Sequence, residues 1–551
     1  MKRVVIIGLD GACWGIVMPW IEQGELPNLG EILAEGVYSE LRSVIPPTTP
    51  PAWTSLITGK NPGKHGITFE FFKQKDGGFE REIVSALDNK EKCIWDYLSE
   101  HDMSSIVINV PVTHPARKMK GILIPGYMAP ANPVCFPRDI LDEFQQENRA
   151  YKVYADSEVA DVTPEKRLQD YIDLTRLRKE ATLYYARKYE WDFLMVEFQK
   201  TDAIFHTLGD SNQENLRLRL YQCVDECIGE ILEALGKNAG VLLVSDHGMG
   251  KCKWQCCLNS WLKEEGLLTY RSRATTREDT LLTVRKRTMD EGYDHMPVED
   301  EPVKGTSSRL DALMRYLGKT GVTLERADEI LSRLHLTFLE KKVPKIIGHK
   351  MPRRQIDWAK TKAYCPSPLI GVRINLKGRE PEGIVEPGQE YHDLRRLIIE
   401  KFQRLRTPDG ELVFEEVLPR EEYYHGGESS DAPDILFVPN DSDRCIEFKG
   451  FGRVFRPSSE YWHKMDGLFA ASGPDIARAG HLPSKLSILD VAPTVLHAIG
   501  LPVPRDMDGR VLTEIFNESS EPAMRPIVYQ ERDETEKVKS KIRRLKRSGE
   551  V

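Results

Sequence analysis

The chain has 551 residues, with 77 Lys+Arg against 85 Asp+Glu and a formal net charge of -8. That length exceeds one minimal domain, and 40% apolar residues can bury a substantial core, so one large domain with insertions, or two domains, is expected. The balance of charge excludes a global basic field for nucleic acid or an anionic membrane, so an anionic ligand must be drawn by a local site.

The first apolar run, Val4-Val5-Ile6-Ile7-Gly8-Leu9, is too short for a secretory signal and reads as a strand that ends at Asp10. A helix is predicted near Leu26 to Glu35. Strands follow at Ser105 to Val110 and Gly121 to Pro125, and a long helical pattern, Pro164 to Tyr189, leads into the strand Phe193 to Phe198. Another strand, Gly240 to Ser245, ends in Asp246-His247-Gly248. Alternation of this kind builds βαβ units, whose right-handed crossovers give a mainly parallel sheet covered by helices on both faces.

From about 271 to 363 charge density rises and helical segments such as Arg309 to Leu317 and Leu324 to Leu339 replace strands, which predicts a helical cap insertion. The sheet is expected to resume near Ile370 to Asn375, with further strands at Asp434 to Val438 and Leu468 to Ser472 and a helix from Val491 to Ile499 capped by Asp490. In the tail, Val538, Ile542 and Leu545 line one face of a basic helix from Lys537 to Arg547. The expected organisation is a discontinuous catalytic domain, 1–270 and 364–518, a cap at 271–363 and a helical tail at 519–551. No stretch reaches the roughly 18 uncharged apolar residues of a membrane helix. The ten cysteines, Cys223 and Cys227 among them, read as buried thiols of a reducing compartment, so a soluble cytoplasmic protein is expected. Cys252, Cys256 and Cys257 lack the spacing of a structural zinc site.

Several residues carry chemistry. Asp10 emerges at the carboxyl edge of a central strand, where open α/β sheets place ligands; there it either binds a metal or caps the next segment. Thr49 precedes Pro50-Pro51 and a segment ending at Gly59, so it is an N-cap candidate. It is also a candidate nucleophile, facing a phosphate at the free N–H groups of a helix start. Asp202 and His206 stand at i and i+4 and clasp one ion if a helix begins there; otherwise they are a surface pair. Asp246 and His247, directly after a buried strand, can both point at one metal, with Gly248 and Gly250 allowing close approach of backbone. His463, alone before a strand, reads as structural on its own.

Together these segments resemble the alkaline phosphatase superfamily, in its type I phosphodiesterase / nucleotide pyrophosphatase branch. The resemblance rests on Gly8-Leu9-Asp10-Gly11, Thr49, Thr58-Gly59, Pro62-Gly63-Lys64-His65-Gly66-Ile67, Asp202 with His206, Ser245-Asp246-His247-Gly248, His463, Ser487 to Leu496, Gly500-Leu501-Pro502 and Asp506-Met507-Asp508-Gly509. It implies an α/β, alkaline-phosphatase-like three-layer sandwich and two divalent metal ions, zinc most often, with manganese as the alternative. One ion would be held by Asp202, His206 and His463. The other would be held by Asp10, Asp246 and His247, with Thr49 beside it as ligand and nucleophile.

The implied activity is hydrolysis of a phosphodiester, pyrophosphate or related phosphate ester through a phospho-threonine, on a phosphorylated small molecule rather than a nucleic acid polymer. The family's phosphate-binding asparagine, three residues after the nucleophile, is here Ala52. Lys200 or a cap residue would then take its place, or the substrate differs. His65, though part of the pattern, reads as structural. Nothing near position 49 fits the Cys/Ser-x-Pro-x-Arg signature of the sulfatases, and Cys365-Pro366-Ser367-Pro368 lacks its arginine. A phosphotransferase like the cofactor-independent phosphoglycerate mutases, which use serine, and a catalytically silent phospho-ligand scaffold are the remaining alternatives.

Overall fold

The computed structural model describes residues 3–68, 72–74, 81–147, 150–158, 162–208, 213–236, 238–276, 353–366, 371–440, 445–447 and 453–531. The strands that frame the site are β1 (Val4–Leu9), β2 (Val37–Arg42), β3 (Ser105–Ile108), β4 (Gly121–Ile124), β5 (Phe193–Phe198), β6 (Gly240–Val244), β7 (Gly248–Cys256), β8 (Tyr461–Lys464) and β9 (Asp466–Ser472). The helices that cover or extend them are α1 (Pro27–Ala34), α2 (Thr49–Thr58), α3 (Pro164–Lys188), α4 (Lys200–Leu208), α5 (Glu214–Leu235) and α6 (Val491–Ile499).

The central sheet runs β2-β9-β6-β1-β5-β3-β4, with Gly480–His481 and Leu486–Ser487 both pairing with β2. β1 pairs in parallel with β5 and β6, and β3 pairs in parallel with β5 and β4; β9 runs antiparallel between β6 and β2. Every residue of β1, β5 and β6 is buried, as expected of strands covered on both faces.

Period-2 alternation sorts these strands into two cores. Val5, Ile7, Leu194 and Val196 face Leu168 and Tyr171 of α3 and Leu220 and Val224 of α5. Val4, Ile6, Phe193 and Met195 face Trp53 and Leu56 of α2 and Val491 and Val495 of α6. Burying each of these large aliphatic side chains contributes about 1.5–3 kcal/mol, which holds helix, sheet and helix in three layers.

α2 is fixed closely against the sheet, because a Cβ on Gly8 would lie 2.4 Å from the Trp53 ring. Its far end is tied to the C-terminal loop. Lys60 Nζ donates to Glu91 at 2.6 Å and Asp506 at 2.7 Å, and the Asp508 carboxylate accepts from the Asn61 amide and side chain, both at 2.8 Å.

Two expectations change. The segment near Ile370 does not return to the central sheet: Arg373–Ile374 pairs with Ala363–Tyr364, and Ile435–Pro439 pairs with Phe414–Pro419. These short antiparallel pairs bury Ile374, Phe414 and Phe437 against Leu258, Trp261 and Phe402, a third core outside the sandwich. Asp490 stands at the N-cap of α6, yet its carboxylate accepts from the amides of Ser487 and Arg510 rather than from the helix. Tyr270–Thr276 and Arg353–Ile356, at the two ends of the predicted insertion, pair antiparallel. The helical segments Arg309 to Leu317 and Leu324 to Leu339, and the tail helix Lys537 to Arg547, lie outside the described residues.

Candidate active site

Asp10, Asp246 and His247 follow the carboxyl ends of β1 and β6, while Asp202 and His206 stand one turn apart on α4, directly beyond β5. His463 is not a lone loop residue. It lies within β8, which pairs antiparallel with the start of β7 and faces Met249 in register. That short ribbon carries His463 back over His247, and the two imidazoles stack with centroids 4.0 Å apart.

Two groups of ligand atoms result. In one, Asp202, His206 and His463 each offer an atom within 4.8 Å of the others; in the second, Asp10, Asp202 and His247 do the same, so Asp202 belongs to both. Asp246 stands beside the second group, with Oδ2 3.4 Å from His247 Nε2 and Oδ1 accepting from the Gly11 amide at 3.2 Å.

The tautomers follow from what the outer nitrogens contact. A carbonyl only accepts, so His463 Nδ1 donates to Pro47 O at 2.9 Å and His247 Nδ1 donates to Gly248 O at 3.1 Å. Both Nε2 atoms therefore present lone pairs inward. His247 Nε2, both oxygens of Asp10, Asp202 Oδ1 and Asp246 Oδ2 are buried and have no hydrogen-bond partner. Orphaned acceptors of this density are costly unless a cation gathers them. Carboxylate oxygen and neutral imidazole are the donors that divalent transition ions prefer, so the residues fit the ions that the resemblance implies.

The electrostatics agree. Burial, then the charges of Asp246 and Asp202, push Asp10 well above the usual carboxylate range, and burial raises Asp246 to about 6 against the pull of His247. Burial would raise Asp202 as well, but His206 and His463 hold it below its ordinary value. His463 is pushed well below the ordinary histidine range by burial and then by His247.

Thr49 is buried as the first residue of α2, and the N-cap is Thr48, in extended backbone. The predicted array of free N–H groups is smaller than expected. Pro50 and Pro51 have none, and the Ala52 amide donates to Thr48 O at 3.1 Å, which leaves the amide of Thr49. Pro47, whose carbonyl holds His463, ties this turn to the ligand cluster.

Ala52 is fully buried in the core. Lys200, the candidate for the missing asparagine's place, has its ammonium buried and donating to Glu158 and Gln199, both at 2.6 Å. His65 is structural as expected. Its Nδ1 accepts from the Ile67 amide, so Nε2–H donates to Ser55 Oγ at 2.9 Å. The cysteines at 252, 256 and 257 are buried.

One residue escaped the sequence reading. Glu197 is fully buried in β5, with one oxygen accepting from Asn109 Nδ2 at 2.7 Å and the other unpartnered. Burial, then the Asp246 charge, raise its pKa. A glutamate inside an otherwise apolar strand was the available signal.

A comparison with curated protein sequences finds no match. Among solved structures, the alkaline phosphatase PafA is similar over 94% of this chain and 99% of its own, with 14% identity and a TM-score of 0.52, which shows a shared alkaline-phosphatase-like fold. Murine ectonucleotide pyrophosphatase / phosphodiesterase 5 has 12% identity over 94% of this chain and all of its own, with a TM-score of 0.48. Phosphonoacetate hydrolase from Sinorhizobium meliloti 1021 has 12% identity over 89% of this chain and 94% of its own, with a TM-score of 0.47. The family model for type I phosphodiesterase / nucleotide pyrophosphatase matches residues 4–446, and the chain belongs to that family of phosphoester hydrolases.

Proposed function

We propose that the chain is a metal-dependent phosphohydrolase that cleaves a phosphodiester, pyrophosphate or related phosphate ester of a small molecule through a phospho-threonine at Thr49. The observation that carries this reading is the buried set of unpartnered acceptors on Asp10, Asp202, Asp246 and His247, beside the facing histidines His206 and His463. Asp202, His206 and His463 would hold one divalent ion, and Asp10, Asp246 and His247 the other, with Asp202 at their boundary and Thr49 beside the second. Zinc is the metal this donor set favours, and manganese the alternative. Bound there, the ions supply Lewis-acid stabilisation of charge on the phosphoryl and leaving oxygens and lower the cost of ionising a hydroxyl.

The protein's own contribution is placement. Two prolines and the Gly8–Trp53 contact fix the start of α2 and orient Thr49 Oγ for in-line attack on phosphorus. The P–O bond to Thr49 forms as the bond to the leaving group breaks, and water then displaces the phosphoryl group from Thr49. The Thr49 amide sits at the positive end of the helix dipole and favours the developing anion. In this reading the cap expected at 271–363 would shape the pocket for the leaving group, and the buried cysteines suit a reducing, cytoplasmic setting.

The test is turnover of a bis-nitrophenyl phosphodiester by the metal-loaded protein. Thr49→Ala should lower kcat/KM by about a thousandfold or more and abolish a phosphorylated protein species trapped by acid quench. Metal uptake without turnover would instead favour the silent scaffold.

A further inference from the structure

Arg217, on α5, is a fully buried arginine beside the candidate site. Its guanidinium carbon lies 4.6 Å from the centroid of the Tyr461 ring and 5.2 Å from that of Phe205, and those two rings are 4.9 Å from each other. Phe205 immediately precedes His206 on α4, and Tyr461 lies two residues before His463 on β8. α4 and α5 follow one another in the chain, β8 comes from far along it, and this cluster is where the three meet. His206 also contacts Trp462 edge-on at 5.6 Å.

We infer that Arg217 is a positioning residue for the ion pocket of Asp202, His206 and His463: a cation that draws two aromatic rings together and so sets the separation of the two histidines. A guanidinium over an aromatic face is attracted by the ring quadrupole, and more strongly when desolvated, as Arg217 is. Each ring sits one or two residues from a ligand, so loosening either ring changes the bite of the histidine pair. Asp10, Asp246 and His247 hang instead on β1 and β6 in the middle of the sheet. None of these three is carried by the elements that hold Phe205 and Tyr461, so the effect falls first on the pocket of the histidine pair, and the other pocket senses it only through Asp202 and the His247–His463 stack.

The inference rests on the proposed metal binding, and the test separates the two. Wild type, Arg217→Met, Arg217→Lys and His206→Ala are titrated with zinc against a competing chelator, with circular dichroism and thermal melting recorded on each. Arg217→Met keeps much of the apolar volume without the charge. It should retain the fold, bind one ion as wild type does and bind the second about tenfold or more weakly, resembling a milder His206→Ala. Arg217→Lys should recover most of that loss.

If Arg217→Met fails to fold, Tyr461→Leu against Tyr461→Phe makes the same comparison from the ring side. Leucine should weaken the one ion selectively, and phenylalanine should not. Affinities unchanged from wild type for both ions in Arg217→Met, or equal weakening of both with a lower melting temperature, would overturn the inference while leaving the metal reading intact. A wild type that takes up no ion would overturn both.

Discussion

The Nε2 atoms of His206 and His463 face each other at 2.9 Å, and Asp202 Oδ1 lies 3.2 Å from the first and 3.7 Å from the second. His463 carries its proton on Nδ1, toward Pro47, so its Nε2 can only accept. A proton or a cation must therefore occupy the point between the three groups. Metal removal should lower stability, because an ion at hundredfold excess over its dissociation constant stabilises the folded state by about 2.7 kcal/mol. Melting temperature with added zinc or manganese, against chelator, checks this; identical curves would contradict the metal reading.

The same ions should bind less tightly in acid. Asp246 has a folded-state pKa of about 6, above its ordinary 3.8, and Asp10 is raised as well. A raised carboxyl favours the ion-free fold when protonated, and that stability is lost as pH rises through the folded pKa. Ions need the carboxylate form. Zinc affinity should accordingly fall by about tenfold per pH unit, for each proton displaced, as pH drops below 6. The added stability from metal should be largest above that pH. Chelator competition at a series of pH values between 5 and 8 would show the slope, and a flat profile would contradict it.

Gly11 has φ +66°, and a Cβ there would lie 2.9 Å from Asp202 Oδ1 and 3.0 Å from Asp202 Cβ. Gly11→Ala should cost about 1–2 kcal/mol for the left-handed backbone alone. It should also displace the one carboxylate common to both ligand groups, so metal affinity should fall at both. A variant with reduced melting temperature but unchanged zinc stoichiometry and affinity would show that Asp202 tolerates the intrusion.

The candidate site residues at the strand ends were legible because a buried strand announces itself as an apolar run, and a carboxylate closing such a run stands out, as at Asp10 and Asp246. Asp202 and His206 were legible through helical spacing. His463 was not placed in a strand, because β8 has four residues and is paired by the glycine-rich start of β7, distant in sequence. β2 went unread although its burial alternates strictly, since Tyr38, Glu40 and Arg42 lie half-buried between Val37, Ser39 and Leu41. The third core was mistaken for a return to the central sheet. An apolar run records that a strand is buried, not which strand covers it.

His65 gives the protein an acid-sensitive core that owes nothing to metal. It is fully buried and neutral, with both ring nitrogens satisfied, and burial, assisted by the Lys60 charge, lowers its pKa to about 3. A histidine depressed in the folded state contributes stability above its unfolded pKa near 6.5, and that stability is lost as pH falls toward the folded value. Between pH 6.5 and 5 the loss should be on the order of 1.5 kcal/mol. Denaturant unfolding with chelator present, on wild type and His65→Gln, isolates it: the variant should be less stable at pH 7 yet lack that part of the slope.

Lys200 stands two residues before Asp202, and its charge is answered by Glu158 at 2.6 Å, with both side chains buried. Removing one member of such a pair strands the other, which costs about 3–5 kcal/mol, whereas replacing both partners removes most of that penalty. Lys200→Met should therefore destabilise strongly, and adding Glu158→Gln should restore much of the loss. If Lys200 instead served a phosphoryl oxygen, the double variant would regain its melting temperature but keep a raised KM. Thermal melting and steady-state kinetics on the two single variants and the double separate these roles. The geometry favours recovery of both, with KM near that of the wild type, because an ammonium already donating to two neighbouring side chains has little left to offer a substrate.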